Sequence, residues 1–275
     1  MTDRYGVIGH PISHSKSPVI HAQFARQTRQ DLTYEAIDIE PADLATTLDS
    51  LIHEGFKGLN VTVPHKNAVV DLMDELSDRA RLAAAVNTIT VKPGSKLVGD
   101  NTDGIGLVRD LQRNLKFELQ DADILILGAG GATRGIVPSL LEAGARGVVV
   151  ANRTLQRAIE IADEFGDRGA KLGDVDACEF ADLEDGQFDL IINATSAGLG
   201  GEVPPFPASI VLPDNVCYDL SYAMKPTPFV AWAKAQGATR AYQGWGMLVE
   251  QAAASFRIWR DVKPDTKPIL ANLPT

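Results

Sequence analysis

Between Asp121 and Asn152 the chain reads DADILILGAGGATRGIVPSLLEAGARGVVVAN, and no other stretch restricts the fold as tightly. An apolar run, a glycine-rich turn, a helical pattern to Ala143 and a second apolar, β-branched run make a strand–turn–helix–strand unit. Two parallel strands joined in this way need a right-handed crossover, the repeating unit of a doubly wound α/β sheet. Gly128, Gly130 and Gly131 let the backbone turn sharply and approach a pyrophosphate, whose charge meets the free N–H groups at the start of the following helix. Thr133 stands where the usual fingerprint has its third Gly or Ala, so Gly135 is expected to make the close helix contact instead.

The second strand of this unit ends in Asn152-Arg153-Thr154. A dinucleotide site that binds NAD normally has an Asp or Glu there, accepting hydrogen bonds from the ribose 2′-hydroxyl. An Arg instead grips a 2′-phosphate, and Arg157 lies one helical turn further on. The pattern predicts NADP(H), not NAD.

Further parallel strands are expected at FDLIINATS, VCYDLS and ATRAY, with a helix from Leu155 to Phe165, so this dinucleotide domain is assigned to residues 103–240. The first hundred residues also alternate apolar strands (YGVIG, YEAIDI, GLNVTV) with helical patterns (Pro18 to Thr28, Pro41 to Glu54, Val69 to Leu76). VNTITV and KLVGD, around Pro93-Gly94, read as a β-hairpin on the same sheet. Residues 1–102 therefore form a first α/β domain with a mostly parallel sheet. The helical stretch from GWGMLVEQAAASFRIW onward is too small for a third domain and is grouped with the first, as 241–275. The fold class predicted is α/β with two domains, the second Rossmann-like and doubly wound, separated by a cleft.

At 275 residues the chain is long enough for two cores, and its composition is that of an ordinary globular protein. A formal charge of −10 disfavours nucleic acid and anionic membranes as partners. No apolar run reaches spanning length, and the opening MTDRYGVIGHP lacks a signal-peptide pattern, so a cytoplasmic location is expected. Cys178 and Cys217 stand far apart with no Cys/His cluster, which predicts reduced structural thiols and no metal site.

Three polar segments of the first domain are out of keeping with plain strand ends: SHSKSP (13–18), NVTVPHK (60–66) and NTDGIG (101–106). In a parallel sheet, segments that directly follow strands converge on one crevice. Together with GAGGATRG, NRT, NATSAG and GMLVEQA, they resemble the shikimate/quinate dehydrogenase family, in the same order and over essentially the whole chain. The resemblance implies reversible NADPH-dependent reduction of 3-dehydroshikimate to shikimate, a step of chorismate and aromatic amino acid biosynthesis. It implies that Ser15 and Ser17, helped by Tyr222, hold the substrate carboxylate. Thr62, Lys66, Asn87, Asp103 and Gln251 would then bind the ring hydroxyls and the reacting centre. On the cofactor side it implies Gly128, Ala129, Gly130, Gly131, Ala132, Asn152, Arg153, Thr154, Arg157, Thr195, Leu220 and Gly244. His10 stands where the family often has Asn, a change that touches no chemistry.

Hydride addition to a ketone creates an alkoxide, which an ammonium can both stabilise and protonate. Lys66 is the candidate, and Asp103 would orient it and accept a hydrogen bond from a substrate hydroxyl, making the two a catalytic pair. Ser15 and Ser17 could also N-cap the helix that begins near Pro18. His14, His21, His53 and His65 read as structural or exposed. The nearest alternative is an NAD-using quinate/shikimate dehydrogenase, which Arg153 and Arg157 disfavour. A non-catalytic NADP sensor would be expected to lack the Lys/Asp pair. The partner is a small molecule, the protein a monomer or homodimer, and the glycines of GLGGE (198–202) and QGWG (243–246) suggest a cleft that opens and closes.

Overall fold

The computed structural model describes residues 2–169, 174–183, 187–195 and 206–272. The chain folds as two units, one formed by residues up to Leu107 and from Leu248 onward, the other by Val108–Met247. These divisions fall a few residues further along the chain than 102/103 and 240/241.

In the first unit the chain runs through β1 (Asp3–Gly9), α1 (Ser17–Thr28), β2 (Leu32–Asp38), α2 (Leu44–His53), β3 (Phe56–Val61), β4 (Glu75–Leu76), α3 (Asp78–Ala83), β5 (Thr88–Lys92), β6 (Lys96–Asp100) and the start of α4 (Asp103–Arg109). Its sheet has the order β2-β1-β3-β5-β6-β4. β1 pairs in parallel with β2 and β3, while β5 pairs antiparallel with both β3 and β6. Leu44, Leu48, Leu51, Phe56, Leu59 and Val69 make one apolar core. Ile20 and Phe24 of α1 pack with Val249, Ala252 and Phe256 in a second.

The segment Val69 to Leu76, expected as a helix, forms only a 3₁₀ turn at Val70–Leu72 and then the two-residue strand β4. Its apolar residues do face the core, but Asp74 takes the N–H of Leu97 at 2.6 Å and gives its own N–H to the Leu97 carbonyl at 3.0 Å, which ties the backbone to the sheet edge. α3 follows because Ser77 caps it, its hydroxyl accepting the Ala80 N–H at 3.2 Å.

The second unit contains β7 (Asp123–Leu127), α5 (Gly131–Glu142), β8 (Gly147–Ala151), α6 (Leu155–Gly169), β9 (Asp174–Cys178), β10 (Leu190–Asn193), β11 (Val216–Asp219), α7 (Pro228–Ala235), β12 (Arg240–Gln243) and the start of α8 (Trp245–Arg260); α9 (Lys267–Leu270) follows in the first unit. Its six strands are all parallel, in the order β12-β11-β10-β7-β8-β9. Chain order thus runs outward from the centre in both directions, which defines a doubly wound Rossmann sheet. The strand order reverses between β7 and β10, and at such a switch point a doubly wound sheet takes its ligand, at the carboxyl edge. Both cysteines are free thiols, and burial pushes Cys217 up to about 12, so it packs as a small apolar side chain. Among the described residues no helix is long and apolar enough to cross a membrane, and no His/Cys/Asp/Glu group could hold a metal.

Candidate active site

In the first unit, Lys66 follows β3 on the NVTVPHK loop and Asp103 opens α4, and the fold brings them to 2.6 Å between Nζ and Oδ2. The Lys66 side chain is 21% exposed and that of Asp103 8%, so the carboxylate is buried while the amine keeps some contact with solvent. The other Asp103 oxygen accepts from Asn87 Nδ2 at 2.9 Å. Asn87 can face only this way. Its Oδ1 takes three donors, the Thr102 N–H at 2.8 Å and the hydroxyls of Thr88 at 2.8 Å and Thr102 at 3.1 Å. Gln251 on α8 completes the cluster, with Oε1 at 3.5 Å from both Asn87 Nδ2 and the Thr102 hydroxyl.

Beneath these groups lies a layer that sequence reading did not assign. Asn60, buried on β3, accepts from the Tyr34 hydroxyl at 2.8 Å. It donates to the Asn87 carbonyl at 3.0 Å, the Thr88 hydroxyl at 3.2 Å and Ser255 at 2.9 Å. The available signals were the Asn-Thr pairs at 87–88 and 101–102, and a Ser one helical turn beyond Gln251. The layer matters because buried polar groups with every partner present are rigid, and rigidity fixes the side chains above.

Thr62 is half-buried at the end of β3, with its N–H on the Ile8 carbonyl at 2.9 Å. Ser15 is half-buried and Ser17 buried, both beside the start of α1. Neither serine caps α1, since the capping position is Lys16. Ser15 Oγ instead accepts the Ser17 N–H at 3.3 Å. His10 pairs with Asp38 at 2.7 Å and Glu40 at 3.4 Å, and the hydrogen bond to Asp38 raises it above the usual histidine range. His21 and His65 are buried, the latter bonded through Nε2 to the Ile39 carbonyl at 2.8 Å, while His14 and His53 are exposed.

In the second unit the residues expected to hold cofactor all stand at the carboxyl edge of the sheet. Gly128 follows β7 with φ of +106°, and a Cβ there would lie 3.2 Å from the Ala194 carbonyl, so both conformation and space require glycine. Thr133 is fully buried and its hydroxyl donates to the Gly128 carbonyl at 2.6 Å. The side chain in place of the third glycine thus braces the turn. Asn152 links the turn to the end of β8, its Oδ1 taking the Ala129 N–H at 3.3 Å and its Nδ2 donating to the Thr154 carbonyl at 2.9 Å. Arg153 and Arg157 are exposed and form no ion pair with a described residue.

Gly130 differs from its neighbours. Its φ of −107° suits any residue and a Cβ would meet nothing within 4 Å, so the fold itself makes no demand for glycine there. What the missing side chain leaves is open space above the first N–H groups of α5, Gly131 and Ala132 among them, as a pyrophosphate needs. No carboxylate follows β8 at Asn152, Arg153 or Thr154, and two guanidiniums stand nearby instead, which fits a 2′-phosphate. The residues present thus suit NADP(H).

At the far end of the same edge, Thr195 and Leu220 follow β10 and β11, and Gly244 follows β12. A Cβ on Gly244 would strike the Leu220 carbonyl, and one on Gly246 the carboxylate of Asp110. Glycine in QGWG therefore serves close packing, and GLGGE lies outside the described residues. Tyr222 packs against Trp245 with ring centroids 4.5 Å apart and planes tilted by 44°, and burial raises its hydroxyl above the usual tyrosine range.

Family models match three stretches of the chain. Residues 7–89 match the shikimate dehydrogenase substrate binding domain, 110–199 shikimate / quinate 5-dehydrogenase, and 244–273 the shikimate 5′-dehydrogenase C-terminal domain. The chain belongs to the shikimate dehydrogenase family. A relative in this family, shikimate dehydrogenase (NADP(+)) of Methylococcus capsulatus, is 51% identical over 98% of this chain and 96% of its own. Among solved structures, the Ael1 enzyme of Pseudomonas putida superposes with a TM-score of 0.91 at 40% identity, covering 100% of this chain and 99% of that one. Shikimate 5-dehydrogenase of Thermus thermophilus, in complex with NADP(H) and shikimate, superposes with a TM-score of 0.84 at 34% identity, covering 97% of this chain and 96% of that one. Of the cluster around Lys66, Lys66 and Asn87 fall within the substrate-binding match, Thr102 and Asp103 just beyond it and Gln251 within the C-terminal match, while Gly128 to Thr195 fall within the dehydrogenase match.

Proposed function

We propose that this chain is an oxidoreductase that interconverts 3-dehydroshikimate and shikimate with NADP(H), the step that leads towards chorismate and the aromatic amino acids. The observation that carries the reading is the Lys66–Asp103 pair at 2.6 Å, with Asn87 and Gln251 converging on it. Full-length identity of about half to enzymes named shikimate dehydrogenase (NADP(+)) supports the same choice. Ser15 and Ser17, with Tyr222, hold the substrate carboxylate. Thr62, Asn87, Asp103 and Gln251 hold the ring hydroxyls and so place the carbonyl beside Lys66. A bound NADPH supplies the hydride. Lys66 stabilises the alkoxide oxygen as negative charge arrives and passes it a proton, which it recovers from solvent through its exposed side. In the reverse direction the same amine accepts that proton. Asp103 and Asn87 keep the ammonium aimed, which avoids reorganisation during the reaction.

On the cofactor, the turn from Gly128 to Ala132 takes the pyrophosphate and Asn152, Arg153, Thr154 and Arg157 the 2′-phosphate side. Thr195, Leu220 and Gly244 take the nicotinamide side. The enzyme acts in the cytoplasm as a monomer or homodimer. A spectrophotometric assay at the nicotinamide band with shikimate and each oxidised cofactor tests the proposal. Rapid reduction of NADP with shikimate is expected, with NAD and quinate poor by comparison. Equal use of NAD would shift the reading to a quinate/shikimate dehydrogenase, and NADPH binding without turnover to a sensor.

A further inference from the structure

Asn193, the last residue of β10, is 2% exposed, and both ends of its carboxamide are committed. Nδ2 donates to Asp219 Oδ1 at 3.1 Å, while Oδ1 accepts from the Thr195 N–H at 3.2 Å and the Thr195 hydroxyl at 2.7 Å. The Asn193 main-chain carbonyl also takes the Leu220 N–H at 3.0 Å. One residue thus ties together the segments that follow β10 and β11. The amide cannot flip. Turned over, its oxygen would face a carboxylate oxygen, and its NH₂ would face the Thr195 N–H. Asp219, fully buried at the end of β11, is held in turn by the Ser221 N–H on the same Oδ1 at 3.0 Å.

This fixed direction has a chemical consequence. A hydroxyl carries one hydrogen, and Thr195 gives its own to Asn193, so only lone pairs remain on Thr195 Oγ1 for a ligand. Thr195 also abuts the phosphate turn, its Cγ2 lying 3.1 Å from where a Gly128 Cβ would be. In a doubly wound sheet the dinucleotide crosses at this switch point, with its nicotinamide half on the β10 side. We propose that Asn193 is a positioning residue that, oriented by Asp219, makes Thr195 an acceptor only. The nicotinamide half of NADP(H) is then held through one of its own donors, the carboxamide NH₂ or a ribose hydroxyl. The inference rests on the cofactor reading above and adds a polarity and two residues to it.

Binding of NADPH and of 2′,5′-ADP, which lacks the nicotinamide half, tests it by calorimetry on the full chain. Thr195→Val and Asn193→Leu are each expected to weaken NADPH about tenfold while 2′,5′-ADP stays within about twofold. If Asn193→Leu fails to fold, Thr195→Val, at a half-buried hydroxyl, decides alone. A Thr195→Val deficit that vanishes with the 3-acetylpyridine analogue of NADP assigns the carboxamide, and one that persists assigns the ribose. Unchanged NADPH affinity in both variants, or equal loss of both ligands, would overturn the inference and leave the cofactor reading intact. A wild-type chain that binds neither ligand would remove both.

Discussion

Lys66 has three ammonium hydrogens, and among the described residues Asp103 alone takes one. The remaining two point to its role, because an ammonium with spare donors beside a bound carbonyl can deliver a proton without first breaking its anchor. Lys66→Ala is expected to lower turnover by about 10² to 10⁴, with NADPH affinity nearly intact; loss of cofactor binding with chemistry unaffected would remove the role. On the cofactor side, Arg153→Asp puts a carboxylate where a guanidinium now stands, and should weaken NADPH more than about tenfold. An unchanged Michaelis constant for NADPH would count against the 2′-phosphate assignment. Side chains such as these are legible in a sequence because their chemistry is out of place next to apolar strands. Asn60, Thr88 and Ser255 were not, since each looks like an ordinary polar residue until the fold stacks Ser255 against two residues of a sheet far earlier in the chain.

Turns and strand ends, more than strands, separate the demands of the fold from those of the ligand. Gly246→Ala at the start of α8 would push a methyl onto the Asp110 carboxylate, which is pinned by the Tyr218 hydroxyl at 2.7 Å and Asn114 Nδ2 at 2.8 Å. Displacing it strands buried polar groups, so a loss of about 2–3 kcal/mol in urea unfolding is expected. Gly130→Val is the contrasting case. With free space at its Cβ and an ordinary φ, it should leave stability within about 1 kcal/mol while abolishing NADPH binding by occupying the pyrophosphate position. Equal damage to stability by the two variants would refute the distinction. The strands β7, β8, β10 and β11 were readable because each is a run of apolar residues bounded by turn formers. β9 was not, since DVDAC alternates acidic with small residues and sits at the sheet edge, and the Val69 to Leu76 pattern read as helix because a sheet-edge tether through Asp74 leaves no trace in apolar spacing.

Across the molecule as a whole, the charge of −10 says little about acid stability, because what counts is the difference in proton binding between folded and unfolded chains. His21 dominates that difference among the histidines. Its ring is 1% exposed, stacked on Tyr34 at 4.1 Å, and neither ring nitrogen has a well-formed partner among the described residues. Burial lowers it to about 3, outweighing the neighbouring Asn60 that would favour the charged ring. An unfolded histidine titrates near 6.5, so as pH falls below that value the unfolded chain takes up a proton that the folded chain refuses. Stability present above pH 6.5 is therefore lost progressively down towards pH 3, by about 2 kcal/mol between pH 7 and pH 5. His10 acts in the opposite sense. Its pairing with Asp38 and Glu40 raises it, so its contribution is complete below about pH 6.5 and fades as pH rises through the folded value. Exposure to solvent screens that pair, and the buried ring should prevail. Urea unfolding at pH 7 and pH 5 ought to show wild type losing stability while His21→Phe, which cannot take up the proton, loses about 2 kcal/mol less. Parallel pH dependence in the two proteins would mean that His21 is not held neutral, and that the aromatic cluster around it admits water or a charge that this packing excludes.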